Sequence, residues 1–188
     1  MKRILIGFLA MASAVAAQTP PSASPGVSYY AVPSVVIAFP GDFDRAVGGA
    51  LALGATINNV HSIEAEVMSF KTNLYSDDFR FTPVLATYKY NFVLQNKIAL
   101  VIGGSLGATF EKAEYFVPYG PGAPPGSSGY VSSASQTAFT SGVLGGVSYP
   151  LNNRVRLDAN AHLLRLEKTD FTTSGNMVLV TLGAKIQF

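Results

Sequence analysis

The chain has no cysteine and no tryptophan, only two histidines, and charged residues at just 13% of its 188 positions. Without cysteine there can be no disulfide, thiolate metal site or cysteine nucleophile. Net charge is also scarce, because the formal +2 rests on Lys2 and Arg3, and without them eleven basic residues face eleven acidic ones. A chain with no basic run cannot build the phosphate-neutralising surface that a nucleic-acid binder requires. Beyond residue 17 no uninterrupted apolar run reaches the roughly 20 residues of a membrane-spanning helix. Glycine-rich phosphate loops, metal-ligand clusters and dinucleotide fingerprints are missing too, so no cofactor is expected.

What is present begins with an address. Residues 1–17 read MKRILIGFLAMASAVAA: a basic start, an apolar stretch from Ile4 to Met11, and small residues at Val15-Ala16-Ala17, the pattern of a secretory signal peptide. The apolar stretch is too short for an anchor, and Gln18-Thr19-Pro20-Pro21 ends it. Residues 18–27, rich in Pro and Ser, read as a flexible periplasmic leader, and 28–188 as one folded domain.

That domain alternates with period two. In 176–188 (NMVLVTLGAKIQF) Val178, Val180, Leu182, Ala184, Ile186 and Phe188 share one parity, while Thr181, Gly183, Lys185 and Gln187 share the other. Around 154–163, Val155, Leu157, Ala159, Ala161 and Leu163 alternate with Arg154, Arg156, Asp158, Asn160 and His162. A helix would mix these sets; a strand separates them. Further strands are expected over 46–57, 61–72, 79–94, 97–112 and 137–149, with a weaker one over 28–39 interrupted by Pro33. Connections at 58–60, 95–96 and 150–153 are short and carry Asn, whereas those at 40–45, 73–78, 113–136 and 169–175 are longer. The expectation is an all-β fold, an eight-stranded antiparallel up-and-down transmembrane β-barrel. Residues 113–136 are too polar and too rich in breakers for regular structure, and are expected to form a mobile, exposed loop.

Which face is apolar separates a barrel in water from one in lipid. The polar parity carries charges of both signs at Glu64, Glu66, Lys89, Arg156, Asp158 and Lys185, joined by Asn160 and His162, so these eight residues are expected to form a lumen network. Aromatics gather near strand ends, with Tyr88, Tyr90, Phe92, Tyr149 and Phe188 on the short-turn side and Phe39, Phe70, Phe79, Phe81, Phe110 and Phe139 on the long-loop side, a pattern expected to form two membrane girdles. Each strand is also long enough for a tilted crossing, which takes about 9 to 11 residues.

Three passages then resemble the small outer-membrane β-barrel family that includes OmpA-like, OmpX-like and opacity-type proteins of Gram-negative bacteria: Phe81 to Phe92 (FTPVLATYKYNF), Val143 to Asn152 (VLGGVSYPLN), and the terminal KIQF. The resemblance implies residence in the bacterial outer membrane, with the longer loops outside. It also implies that Phe188 serves as the signal read by the barrel-assembly machinery. It supplies a fold and a location but no activity.

Several functional readings follow. His162 beside Asp158 and Asn160 would suit a base, but no hydroxyl nucleophile is spaced to complete a triad. A lipid A deacylase on the same barrel would need a His-x-Ser element; His162 precedes Leu163-Leu164, and His61-Ser62 lies on the wrong side. A ring of lumen charge would suit a narrow pore, yet an eight-stranded interior is filled by its own side chains. Lys71, Arg80, Lys112, Arg165 and Lys168 near the long-loop rim are candidate contacts for lipopolysaccharide phosphates in the outer leaflet. The preferred reading is a non-enzymatic, monomeric outer-membrane barrel with a structural or adhesion-type role. A surface ligand would bind at the 113–136 loop through Tyr115, Phe116, Tyr119 and Tyr130. The alternative is a soluble lipocalin-like binding barrel in the periplasm.

Overall fold

Alternating side chains make eight strands, and hydrogen bonding joins them into a ring. The computed structural model describes residues 26–41, 43–74, 77–94, 98–117, 130–167 and 175–188. The signal segment 1–17 and almost all of the leader lie outside the described residues. The strands are β1 (Val27–Phe39), β2 (Ala46–Ile57), β3 (His61–Leu74), β4 (Asp77–Val93), β5 (Ala99–Val117), β6 (Tyr130–Pro150), β7 (Val155–Leu166) and β8 (Asn176–Gln187). Each pairs antiparallel with the next, and β1 pairs with β8 from Tyr30↔Gln187 to Phe39↔Val178, closing the barrel. Pro33, outward-facing on β1, does not interrupt the strand; only its ladder to β8 skips residues 32 and 33.

Tracing direct pairs once round, from Val27 through Ile57, His61, Tyr90, Ile102, Gly145, Ala161 and Val180, returns to β1 at Ile37, ten residues above the start. A stagger of that size in eight strands tilts them by about 40° and leaves an interior that side chains can fill. Val27, Phe188, the turns at 58–60 and 151–154, and the bonded pair Leu94 and Ile98 lie at one end, here the lower rim. The opposite strand ends, from Phe39 and Ala46 round to Leu166 and Asn176, mark the upper rim.

Turn chemistry at the lower rim is local. Asn58 (φ 53°) and Asn59 (φ 59°) take the left-handed conformation that asparagine tolerates, reversing β2 into β3. Asn152 Oδ1 accepts hydrogen bonds from the backbone N–H groups of Arg154 (2.8 Å) and Val155 (2.9 Å). Within the wall, Gly54 permits a close approach, since a Cβ there would stand 2.7 Å from Glu64 Cγ and 2.8 Å from the Tyr30 ring.

Two expected loops are shorter than their composition suggests. β3 and β4 stay paired to Leu74↔Asp77, and β5 and β6 to Val117↔Tyr130. Residues 113–117 and 130–136 are therefore strand and not loop, which corrects the reading of 113–136 as irregular; residues 118–129, including Tyr119, lie outside the described residues. Polar residues beyond the bilayer mark where water begins, and a ladder of backbone hydrogen bonds continues in water as well as in lipid. The β5–β6 pair outruns its neighbours. The ladder from β4 to β5 ends at Asp78↔Glu114, and the ladder from β6 to β7 begins at Thr140↔Leu166.

Candidate functional site: a two-part lumen and a charged outer rim

Inward positions of the lower half are polar. Glu64 is their centre: its Oε1 accepts a hydrogen bond from the Tyr30 hydroxyl at 2.7 Å, and its Oε2 lies 2.6 Å from Lys89 Nζ. Lys185 Nζ donates to Thr56 Oγ1 at 3.2 Å and stands 3.6 Å from the centre of the Tyr30 ring. A second group forms on β6 and β7, where the Ser148 hydroxyl donates to Asp158 (2.6 Å) and accepts from Arg156 Nε (2.8 Å). Asn160, Glu66 and His162 are buried one layer higher. All eight polar positions read as a lumen network face inward, and the structure joins five of them into two bonded groups.

His162, 1% exposed, stands opposite Leu144 and Leu179 in the ladders, and neither ring nitrogen has a hydrogen-bond partner among the described residues. Glu66 Oε2 is likewise without one. Among the described residues no hydroxyl hydrogen-bonds to either ring nitrogen of His162. His61 faces outward, with Nδ1 2.7 Å from the Tyr88 hydroxyl and its ring edge-on to Tyr90. The two histidines serve different faces of the wall and do not converge.

Sequence reasoning passed over Tyr30, Ser148, Thr56 and Glu111, all buried and inward-facing. It also passed over hydroxyl pairs that bridge neighbouring strands, such as Thr87···Ser105 at 2.9 Å and Thr109···Thr140 at 2.7 Å. Strand parity was the available signal: each shares the inward parity of its own strand.

The upper half of the lumen is apolar. Val36, Met68, Phe70, Phe81, Leu85, Leu164, Leu166, Met177 and Leu179 form one buried cluster, with Phe43 and Phe79 packed against it. Phe43 meets Phe79 and Phe81 edge-on at 4.8 and 5.4 Å, and Phe70 stacks on Phe81 at 5.6 Å. This corrects the upper girdle. Phe70 (2% exposed) and Phe81 (0% exposed) point inward and Phe79 lies against them, because Phe70 has the parity of Glu64 and the other two that of Lys89. The outward aromatics at that level are Phe39, Phe110 and Phe139; those of the lower level are Tyr29, Tyr88, Phe92, Tyr149 and Phe188, with Tyr90 half-buried beside Phe92.

Between these levels the exterior is almost wholly apolar, with Val47, Leu51, Leu53, Ile63, Val67, Val84, Leu100, Ile102, Leu106, Val143, Leu157, Leu163 and Leu182 exposed round the barrel. A belt of this kind exceeds the few hundred Å² of contiguous apolar surface that a protein in water exposes. Among the described residues no helix is long and apolar enough to cross a membrane; the strands are the crossing elements.

At the upper rim, Lys71, Arg80 and Lys112 come together in one outward row, whereas Arg165 lies on β7 between Ser141 and Asn176, away from them. Lys168 lies outside the described residues. Above the belt, Lys112 donates to Glu114 at 2.7 Å; that bond and the charge of Lys112, with smaller contributions from Lys71 and Arg80, hold the exposed Glu114 carboxyl below its ordinary range.

A closed ring of eight tilted strands, greasy outside and ionic within its lower half, decides the fold. It is that of the small outer-membrane β-barrels. Neisserial surface protein A (NspA) superimposes with a TM-score of 0.64 at 21% identity, covering 87% of this chain and 97% of that one. Ail, the attachment invasion locus protein of Yersinia pestis, gives 0.58 at 18% identity, covering 88% and 100%. OprG of Pseudomonas aeruginosa gives 0.54 at 9%, covering 87% and 97%. No protein-family model matches the sequence, and no curated protein matches it either. Such low identities carry the barrel and not its activity.

For an outer-membrane barrel the two-part lumen has a direct consequence. Among the described residues an apolar cluster caps an ion-paired chamber, an arrangement that opposes the passage of hydrated ions. Planar-bilayer recordings are expected to show no steady single-channel conductance, and a stable open level in the wild-type barrel would contradict a closed lumen.

Proposed function

We propose that the chain is a non-enzymatic, non-conducting barrel of the bacterial outer membrane that holds the β5–β6 hairpin outside the cell as its surface-interaction element. The reading rests on one observation, that these two strands remain paired as far as Val117↔Tyr130 while their flanking ladders stop at Glu114 and Thr140. A hairpin of that length stands clear of the bilayer on a rigid base, and a partner gains affinity when the surface it meets is already ordered. Tyr130 and Val131 are exposed on it, and Tyr115 is partly so. Tyrosine suits such a surface because it offers large contact area at low entropic cost.

Phe188, outward at the lower rim with its N–H bonded to the Tyr29 carbonyl at 3.1 Å, is assigned the assembly signal. The soluble lipocalin-like alternative is disfavoured by the apolar exterior, since that fold turns its greasy side chains inward.

The test is excision of residues 115–132 and their replacement by a two-residue Asn-Gly turn. The shortened barrel is expected to fractionate with the outer membrane and to keep its faster gel migration before boiling, while attachment of expressing cells to host-cell monolayers falls to the level of the empty strain. Attachment equal to that of the full chain would remove the adhesive role.

A further inference from the structure

Lys71, Arg80 and Lys112 are direct cross-strand partners: Lys71↔Arg80 on β3 and β4, then Arg80↔Lys112 on β4 and β5, continuing to Ser135 on β6. Directly opposed residues on one face of a sheet stand about 5 Å apart at Cβ, and like charges there destabilise the pair. Here three cations follow one another. The acids nearest in register, Asp78 and Glu114, form the next outward row above and are themselves opposed. Glu114 takes Lys112, Asp78 accepts from Asn73 Nδ2 at 2.7 Å, and neither Lys71 nor Arg80 enters an ion pair among the described residues.

Beside this row the wall has a groove of about 320 Å³ lined outward by Arg80, Thr82, Phe110, Lys112, Ser135 and Thr137, and completed by Glu111 and Gln136, which have the inward parity of their strands. Its volume is at the lower end of that of small-molecule sites, roughly 300 to 1,000 Å³. Its composition is graded: cations at the top, hydroxyls beside them, and the exposed Phe110 ring at the level of the upper girdle. Just below, the β3–β4 ladder lapses between Val67↔Val84 and Phe70↔Phe81, where Pro83 has no N–H to give, and Ser69 and Thr82 interrupt the apolar belt. Polar side chains therefore continue below the cations to the level of the upper aromatics.

We propose that this groove binds the phosphorylated head group of an outer-leaflet glycolipid. Arg80 and its two flanking lysines receive a phosphate, Ser135 and Thr137 meet the sugar hydroxyls, and an acyl chain descends past Phe110. A phosphate between the cations turns their mutual repulsion into charge-assisted hydrogen bonds, with the guanidinium able to bind two oxygens at once. The site rests on the membrane reading above, because only a lipid-embedded wall presents its cations at a head-group level.

The mature barrel, folded into phosphatidylcholine nanodiscs, would be titrated with bisphosphorylated lipid A, and in a separate arm with inorganic phosphate. Lipid A is expected to raise the thermal midpoint of the wild type in a saturable way, and inorganic phosphate at the same concentration is expected not to. The triple variant Lys71→Gln, Arg80→Gln, Lys112→Gln is expected to fold equally well in phosphatidylcholine but to bind lipid A at least about tenfold more weakly. Arg165→Gln, a basic residue outside the row, is expected to bind as wild type does. Equal lipid A binding by the triple variant and the wild type overturns the site while leaving the membrane reading intact. A midpoint shift as large with inorganic phosphate overturns the lipid as occupant. Failure of the wild type to insert into phosphatidylcholine overturns both readings.

Discussion

Substitution of Lys89 by methionine is expected to destabilise the folded barrel by about 3–5 kcal/mol, the usual result of removing one partner from a buried ion pair. The side chains of Lys89 and Glu64 are 7% and 1% exposed and their charged atoms are 2.6 Å apart. With the ammonium gone, the Tyr30 hydroxyl is the one hydrogen-bond donor left to the Glu64 carboxylate among the described residues, with Lys185 held over the Tyr30 ring. A buried carboxylate with one neutral donor is far from solvated. The companion variant separates loss of the pair from loss of packing: Glu64→Gln introduced beside Lys89→Met removes the stranded charge, so the double variant is expected to regain most of the stability. Denaturant unfolding of the vesicle-inserted protein, followed by the shift between folded and unfolded gel bands, measures both. A single-variant cost no greater than about 1 kcal/mol, as for pairs in water, would mean that the chamber is wet and the pair is not structural.

That pair was legible in the sequence because period-two alternation assigns each residue to a face without knowledge of its neighbours, and Glu64 and Lys89 both fall on a polar parity. The apolar cluster above it follows from the same parity and is obscured for a physical reason. Counting aromatics by their distance from strand ends put Phe70 and Phe81 at the membrane boundary, whereas parity puts them inside. Met177 and Leu179 share parity with Thr181 and Lys185 and follow the same logic. The rule that a membrane barrel is polar within describes water-filled lumens; an interior only wide enough for side chains is satisfied as well by apolar packing as by ion pairs. Strand ends were hidden for a different reason. Residues such as Asn73, Asp78 and Ser132 read as loop by composition, yet pairing on β3, β4 and β6 depends on the register already set below them. The outer cation row combines both lessons. The sequence places its members near the rim, but only register puts Arg80 between Lys71 and Lys112 and leaves Arg165 elsewhere.

Leu182 supplies the largest test of which face meets lipid. It points outward on β8, 51% exposed, between outward neighbours Val35 on β1 and Ala159 on β7, roughly midway between the two aromatic levels. In water, an arginine at such an exposed position would change stability by no more than about 0.5 kcal/mol and would remove an apolar liability. In a bilayer the same change is expected to cost about 2–4 kcal/mol, because the guanidinium must be carried to the middle of the hydrocarbon. Tyr149→Arg, at the lower aromatic level, is expected to cost only about 0–1 kcal/mol, since the long side chain reaches the head groups from there. The depth dependence is the informative quantity. A general loss of strand packing would penalise both positions alike, and a barrel with water outside would penalise neither. Unfolding in vesicles, with both variants referred to the same wild-type transition, therefore reads the solvent of the outer face directly; equal small effects at Leu182 and Tyr149 would place that face in water.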